Sequence, residues 1–258
     1  MKSKFILSVL FFGALFSLHA QDADSIVRAS RNRIKSDTVS TRSRMVIQAK
    51  DGSTTERLID NYSKDGPNGA RNVIVFQQPA SVAGSRFLTM ENKNAPDDRW
   101  IFMPNLGRIR RIASSEGSGS FMGTDFSYDD ISSTSRNADL DTHTLLREEN
   151  LGITACYVIQ SVPKDSAYQY SKMIQWIAKD TSIIMKIELY DKKNTLIKTV
   201  EMSGIKTIQD RLTVTVTKMT THAAGTSTTI TNEIIKYNDP IPEGVFTTSY
   251  LETGKVSK

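Results

Sequence analysis

The sequence predicts a mainly β protein, built as one large antiparallel sheet that follows a single amphipathic helix. Polar and apolar residues largely alternate from Thr38 onward, which is the period of a strand with two different faces. Turn signals recur about every ten residues, a spacing typical of all-β folds. Threonine and other β-branched residues dominate the second half. Because a sheet of this size must curl and have its inner face covered, other segments are expected to pack on it.

The N-terminal 20 residues have the three-part pattern of a secretory signal peptide. Lys2 and Lys4 precede an apolar run from Phe5 to Leu18, and Ala20 is suited to the position before a cleavage site. The run is too short for a comfortable transmembrane helix. We therefore predict residues 1–20 as a cleaved signal peptide and residues 21–258 as a single, exported domain. With no cysteine near the cleavage site, no lipid anchor is expected.

The first half of the exported chain is expected to contain the helix and a series of hairpins. Apolar residues at helical spacing, with acidic residues ahead of basic ones, predict a helix from Gln21 to about Ser36. Asp51-Gly52 predicts a hairpin turn. The remaining predicted features are a buried strand, a hairpin turn and a further strand, at residues 71–79, 94–98 and 107–112.

The second half is predicted to be a hairpin followed by a meander of strands. The turns are expected at residues 150–152, 179–181, 191–194, 209–211 and 223–225. The chain has one cysteine, so it has no internal disulfide. Because Cys156 lies in an apolar run, we interpret it as a small buried hydrophobe in preference to a reactive thiol.

The segment from Gly117 to Ile131 combines glycines, aspartates and large apolar residues. Phe121, Met122, Phe126 and Ile131 are expected to face the sheet, with Tyr128 at its edge. The three aspartates at positions 125, 129 and 130 are expected to face water or to cap a short helix. Glycines at positions 117, 119 and 123 suggest a loose hinge. Composition alone leaves two interpretations open: a mobile lid over a binding cavity, or a permanent plug of the core.

A basic cluster precedes this segment. Arg108, Arg110 and Arg111 follow Arg86 and Arg99, and they form either a solvated strand face or an electropositive rim suited to a lipid phosphate or an anionic membrane. The net charge is only mildly positive, and the basic residues form no clustered stripe of the kind typical of nucleic-acid binding.

Features typical of enzymes and metal sites are missing from the sequence. The two histidines of the exported chain, His143 and His222, have no carboxylate or cysteine at ligand spacing. No nucleophile motif is present, and the aspartates lack the alternating ligand pattern of a calcium loop. We therefore expect no catalysis, no cofactor and no metal.

The stretch from Asp98 to Ile131 resembles the bacterial outer-membrane lipoprotein-sorting protein family, whose members are LolA-like. The matching residues are Trp100, Phe102, Pro104, Leu106, Arg108, Arg110, Arg111 and Ile112, followed by Ser120, Phe121, Met122, Gly123, Asp125, Phe126, Ser127, Tyr128 and Asp130. The resemblance implies a strongly bent, incompletely closed antiparallel β-barrel of the LolA/LolB type, with an N-terminal helix and short helical lid segments over an apolar cavity for acyl chains. It favours the lid over the plug.

The function implied by the resemblance is that of a periplasmic carrier, which would move the acyl chains of a lipoprotein or another envelope lipid between the inner and outer membranes. Its expected partners are those acyl chains, an inner-membrane exporter and, transiently, the membrane; the carrier is expected to be a monomer. The lipid-binding and lid residues would be Trp100, Phe102, Phe121, Met122, Phe126 and Tyr128, and the basic rim Arg108, Arg110 and Arg111. One alternative is a lipid-sensing regulatory module that acts on a membrane partner in envelope stress, and another is an enzyme acting on envelope lipids.

Overall fold

A computed structural model describes residues 14–66, 68–92, 95–132 and 136–256, with side chains described from residue 23 onward. Within these ranges the strands are β1 (Thr38–Gln48), β2 (Thr54–Lys64), β3 (Arg71–Gln78), β4 (Arg86–Met90), β5 (Asp98–Met103), β6 (Arg108–Arg111), β7 (Asp141–Leu151), β8 (Thr154–Pro163), β9 (Lys172–Ala178), β10 (Ile184–Tyr190), β11 (Leu196–Ile208), β12 (Arg211–Thr221) and β13 (Thr226–Tyr237). The α-helices are α1 (Ala14–Arg31), α2 (Tyr128–Ser132) and α3 (Thr248–Thr253). Short 3₁₀ turns occupy Ser114–Glu116, Ala138–Leu140 and Glu243–Phe246.

The chain divides into two compact units. The first contains the residues up to Arg33 together with Arg136–Thr195, and the second contains Ile34–Ser135 together with Leu196–Lys258. In the first unit the strand order is β10-β9-β8-β7, and in the second it is β6-β5-β4-β3-β2-β1-β13-β12-β11. The neighbouring strands with assigned registers are antiparallel. That residues 21–258 form a single domain stays a prediction.

The predicted strands and hairpin turns are confirmed, except that residue 94 of the 94–98 turn lies outside the described residues, but the predicted bounds of the N-terminal helix are wrong. The backbone is already helical at Ala14, and the helix ends at Arg31 rather than near Ser36. The amide of Asn32 still donates to the carbonyl of Arg28, at 2.9 Å, and the chain then turns so that β1 can begin at Thr38. Most of the predicted signal peptide, residues 1–13, lies outside the described residues.

The first unit buries apolar side chains on both faces of its strands. On one face, Ala23 and Val27 of α1 pack with Ile159 and Ile177, because residues four apart in a helix share one side. The other face buries Val158, Trp176 and Cys156. The interpretation of Cys156 as a buried hydrophobe is confirmed, and burial raises the pKa of its thiol. The indole N–H of Trp176 donates to a carboxylate oxygen of Glu149, at 2.5 Å.

The second unit also has two apolar faces, on strands β3, β4 and β5. Val73 lies opposite Leu88, and Leu88 lies opposite Trp100, so these residues share one face, which we call the C-terminal face. The next residues along the strands, Ile74, Phe87 and Ile101, share the opposite face, which we call the segment face.

The C-terminal face is covered by the end of the chain. Residues 241–251, here called the C-terminal cover, bury the apolar side chains Ile241, Val245, Phe246 and Leu251 in one cluster with Val73, Val75, Leu88 and Phe102. Its helix α3 is capped by the Thr247 hydroxyl, which accepts from the amide of Tyr250, at 3.1 Å. Arg86 donates to the carbonyl of Leu251, at 2.8 Å, near the end of the same helix.

Within the described part of the chain, no helix is both long enough and apolar enough to cross a bilayer.

Candidate functional site

The residues predicted to bind lipid do not all lie together. Trp100 and Phe102 are on the C-terminal face, where they pack with the C-terminal cover. Phe121 and Tyr128 belong to residues 112–132, here called the 112–132 segment, and they contact Phe87 on the segment face. The structure therefore separates the predicted set into two groups on opposite faces of β5.

An aromatic cluster seats the 112–132 segment against the sheet. The ring of Phe121 lies 5.9 Å from that of Phe76, 5.1 Å from that of Phe87 and 5.7 Å from that of Tyr128, measured between centroids. These separations are in the range that favours aromatic pairs. Phe121 is 0% exposed, so it is a full member of the core.

Residues 120–127 fold back as a miniature hairpin that presents Phe121. Ser120 and Ser127 form an antiparallel bridge, and the amide of Phe121 donates to the carbonyl of Phe126, at 2.8 Å. The turn places Met122 at φ 51° and Gly123 at φ 75°. Glycine tolerates this left-handed region, whereas methionine is strained in it. Such strain is found most often at functional sites.

A side chain from β2 holds the strained turn. The guanidinium of Arg57 donates to the carbonyl of Met122, at 2.7 Å, and lies 5.7 Å from the centroid of the Phe76 ring. Burial lowers the pKa of Arg57. Its Nε is buried and has no hydrogen-bond partner among the described residues. The hydrogen bond to the Met122 carbonyl is therefore a large part of the hydrogen bonding of this guanidinium.

Asp125 fixes the far side of the hairpin. Its carboxylate accepts from the hydroxyl of Thr226, at 2.5 Å, and from that of Thr228, at 2.7 Å, while its carbonyl accepts from Lys198, at 2.7 Å. The expectation that this aspartate faces water is therefore wrong, because Asp125 is buried and bonded to β13 and β11.

Two ion pairs anchor helix α2. Arg99 donates to Asp129, at 2.6 Å, and Lys198 approaches Asp130, at 3.3 Å, with all four side chains at most 16% exposed. The expected helix cap is confirmed at Asp130: its carboxylate accepts from the amide of Ser127, at 2.8 Å, and its amide donates to the Ser127 hydroxyl, at 3.0 Å.

Close packing explains Gly117 without a hinge. A Cβ atom at this position would lie 2.3 Å from a carboxylate oxygen of Asp129, which is far inside van der Waals contact. The carbonyl of Gly117 also accepts from the amide of Asp129, at 2.9 Å. The residue must be glycine so that the Asp129 carboxylate can reach Arg99.

The basic residues of β6 are divided between the two faces. Arg110 lies opposite Ile101 and pairs with Glu116, whereas Arg111 lies opposite Trp100 and pairs with Asp98. Arg108 is exposed, lies on the same face as Arg110 and has no ion pair among the described residues. Arg108 is thus the member of the predicted rim with the least compensated charge.

Sequence reasoning missed the residues of the sheet that receive the segment. They are Arg57, Phe76, Phe87, Lys198 and Thr228. Each lies on a strand distant in sequence, and none stands within a motif. Residues 71–79 were predicted as a buried strand, so the burial of Phe76 was expected, but nothing in the sequence indicated which segment covers it.

Among the described residues, no group of three or more His, Cys, Asp or Glu side chains is arranged to hold a metal ion. His143 is buried, and its ring nitrogens lie 2.7 Å from the Ser161 hydroxyl and 3.0 Å from the carbonyl of Ala138. Its hydrogen bonds are therefore those of a structural residue.

Comparison with known proteins indicates the family. A family model described as "Uncharacterized protein" matches residues 68–253. A solved outer-membrane lipoprotein-sorting protein domain from Vibrio parahaemolyticus is 26% identical, with a TM-score of 0.85, over 90% of this chain and 99% of that one. A DUF1329 family protein from Desulfovibrio piger is 28% identical, with a TM-score of 0.86, over the same shares.

A LolA superfamily protein from Nitrosomonas europaea has the same fold. It is 22% identical, with a TM-score of 0.71, over 88% of this chain and 98% of that one. Among curated proteins, none matches. The predicted fold class, mainly β and antiparallel with an N-terminal helix and LolA-like, is confirmed by these likenesses.

Proposed function

The chain belongs to the LolA-like family of bacterial outer-membrane lipoprotein-sorting proteins, and from that premise we propose that it is a periplasmic carrier for lipid acyl chains. Its cargo is a lipoprotein or another envelope lipid, which it moves between the inner and outer membranes. The activity is binding and release, without catalysis and without a cofactor. The acyl chain binds on the segment face of the second unit, in the place that the 112–132 segment occupies.

The way in which Phe121 is held supports this proposal most directly. Its ring is fully buried among Phe76, Phe87 and Tyr128, but the backbone on either side is held by polar contacts, from Arg57 to Met122 and from Thr228 to Asp125. Water can replace hydrogen bonds when a segment opens, so a polar attachment opens at a lower cost than an apolar one. Phe121 therefore occupies the site as an exchangeable apolar group.

The free energy of burying the Phe121 side chain is similar to that of burying a few methylenes of an acyl chain. Withdrawing a buried Phe side chain into water costs up to about 3 kcal/mol, and burying each methylene contributes about 0.8 kcal/mol. About four methylenes of an acyl chain thus replace Phe121 at the aromatic cluster. A longer chain binds with a surplus, and the return of Phe121 lowers the net affinity enough for release.

The exposed basic charge gives the carrier a transient contact with membranes. Arg108 is not neutralised by an ion pair among the described residues, so it is free to approach an anionic lipid surface. An inner-membrane exporter is the proposed donor of the cargo, and the carrier acts as a monomer.

Mass spectrometry of lipids that copurify with the exported protein tests the proposed cargo. We expect a lipid or an acylated peptide at a stoichiometry approaching one per chain, because the segment face buries acyl carbons well. A protein that purifies without lipid and fails to bind any of a panel of envelope lipids would contradict the carrier function.

A matched pair of Phe variants tests the site. Phe121→Ala removes the proposed internal competitor, and Phe246→Ala removes a Phe of similar burial from the C-terminal cover. We expect Phe121→Ala to increase the affinity for a fluorescent acyl probe several-fold, whereas Phe246→Ala changes only the melting temperature. If both variants lose stability by about 3–5 kcal/mol with unchanged probe affinity, the 112–132 segment is a permanent plug.

A further inference from the structure

Arg57, on β2, places a positive charge beside the aromatic cluster of the segment face. Its guanidinium lies 5.7 Å from the centroid of the Phe76 ring, and Met45, directly opposite on β1, is 0% exposed. Arg57 forms no ion pair among the described residues, and burial lowers its pKa. The charge therefore lies next to apolar surface without a carboxylate to balance it.

Neighbouring arginines of the same sheet do have carboxylate partners. Arg42, on β1, donates to both oxygens of Asp60, at 2.7 and 2.9 Å. Arg44 pairs with Glu56. Glu56 directly precedes Arg57, and consecutive residues of a strand point to opposite faces, so this carboxylate lies on the other face of β2. Arg57 thus differs from its neighbours in lacking a carboxylate partner among the described residues.

The hydrogen bond that Arg57 makes depends on the 112–132 segment. Its Nη1 donates to the carbonyl of Met122, at 2.7 Å, while its Nε is buried and unpaired among the described residues. In the proposed carrier the acyl chain replaces this segment, so the Met122 carbonyl leaves together with Phe121. A guanidinium that loses its acceptor beside apolar surface is costly, unless the ligand brings an acceptor of its own. Arg57 is only partly buried, so the head of a bound chain can reach it from the solvent side.

We propose that Arg57 binds an anionic group at the head of the acyl chain and so limits the cargo to lipids that carry one. The proposal rests on the carrier function, because it names the ligand class of the same site. A carboxylate or a phosphate accepts two parallel hydrogen bonds from the guanidinium fork and supplies the missing countercharge. The Phe76 ring is next to both the guanidinium and the Phe121 ring, so the anionic group closely follows the buried methylenes. It belongs to a free fatty acid or to a phospholipid.

Pairs of ligands that differ mainly in charge test the proposal. Decanoate is compared with 1-decanol, and dihexanoyl phosphatidic acid with dihexanoylglycerol, for displacement of a fluorescent acyl probe at a pH where the acids are ionised. The native protein is expected to bind the anionic member of at least one pair about tenfold to a hundredfold more tightly, as for a hydrogen bond between charged groups. A preference in the first pair identifies a fatty acid, and one in the second pair identifies a phospholipid.

Arg57→Gln separates this role from the hold on Met122. Losing the bond to Met122 changes the affinity for both members of a pair alike, whereas losing the charge changes the ratio of the two affinities. We expect the preference for the anionic member to fall at least about tenfold in Arg57→Gln and to be partly kept in Arg57→Lys. Arg44→Gln, which removes an exposed charge from β1, is the control and should keep the full preference.

Equal binding of the charged and neutral ligands by the native protein overturns this proposal and leaves the carrier function standing. The proposal is also overturned if Arg57→Gln keeps the native preference. If the acyl probe does not bind at all, or no member of either pair displaces it, the carrier function fails and this inference fails with it.

Discussion

Strands β3, β4 and β5 are covered on both faces, and the two covers are held in different ways. The C-terminal cover buries only apolar side chains, and its polar contacts, the ion pairs of Glu243 with Lys64 and Arg71 and the bond from Arg86 to the Leu251 carbonyl, are made by side chains that are at least partly exposed. The 112–132 segment buries the apolar residues Ile112, Phe121, Phe126 and Ile131, but it also buries the polar residues Thr124, Asp125, Ser127 and Ser132. One cover buries only apolar side chains, and the other combines core residues with buried polar contacts.

The difference matters because the two kinds of contact respond differently to opening. Exposing apolar surface to water costs about 25 cal/mol of free energy for each Å². A hydrogen bond that opens is replaced by one to water, so its net contribution is only about 1 kcal/mol. Buried ion pairs such as Arg99–Asp129 offset the cost of desolvating the two charges only while their geometry is good. The C-terminal cover is thus expected to be permanent and the 112–132 segment to be exchangeable.

The largest effect is expected from truncating the C-terminal cover. Leu251 is 0% exposed, and Leu251→Ala should destabilise the protein by about 2–5 kcal/mol, through lost apolar burial and the cavity left behind. Urea denaturation measures this change in the free energy of unfolding. A loss below about 1 kcal/mol would mean that the cover is loosely held and that the contrast between the two faces is wrong.

A smaller and more local effect is expected from weakening the ion pair between Arg99 and Asp129, which holds the 112–132 segment. Asp129→Asn removes the shorter of the two ion pairs of the buried Arg99 and leaves the longer one, with Asp97 at 3.6 Å, so it should cost about 1–3 kcal/mol. Hydrogen exchange should show faster opening of residues 112–132, with little change at the C-terminal cover. Glu56→Gln, which affects the exposed pair with Arg44, is the control and should change stability by less than about 1 kcal/mol. Uniform protection in the two covers would mean that the ion pair does not hold the segment.

The smallest effect is expected at the edge strand β6, where removing an arginine charge from one face can be compared with removing one from the other face. Arg108 is on the segment side of β6 and Arg111 is on the C-terminal side. Arg108→Gln should weaken binding to anionic vesicles at low salt by up to about 1 kcal/mol, and the loss should vanish at high salt. Arg111→Gln should have less effect, because Arg111 is paired with Asp98. Equal losses would show that membrane contact does not distinguish the faces.

Local patterns in the sequence predicted most of the fold. Asp51-Gly52 and the other turn signals located the hairpins, since turn geometry depends on a few adjacent residues. Trp100 and Phe102, which were predicted to act together, do share a face. The start of α1 was missed because a cleavage site was expected at Ala20, and the predicted helix therefore began after it.

The candidate site was harder to predict because its contacts join distant strands. Arg57 meets Met122 across 65 positions, and Lys198 meets Asp125 across 73. No local period encodes which strand lies beneath a segment, so Trp100 and Phe102 were grouped with residues that lie on the other face. Gly117 was interpreted as a hinge because composition cannot show a carboxylate that lies 2.3 Å from the position of its missing Cβ.

The intrinsic fluorescence of the two tryptophans can report on the structure of this protein. One of them, Trp176, is fixed by the hydrogen bond from its indole to Glu149. The chain has two tryptophans, and Trp176 falls in the first unit while Trp100 falls in the second. Trp176 is 5% exposed and Trp100 is only partly buried, so their emission spectra should differ in wavelength. Replacing either one by phenylalanine leaves a single fluorophore that reports on one unit, and the melting of the two units can then be followed separately without any added label.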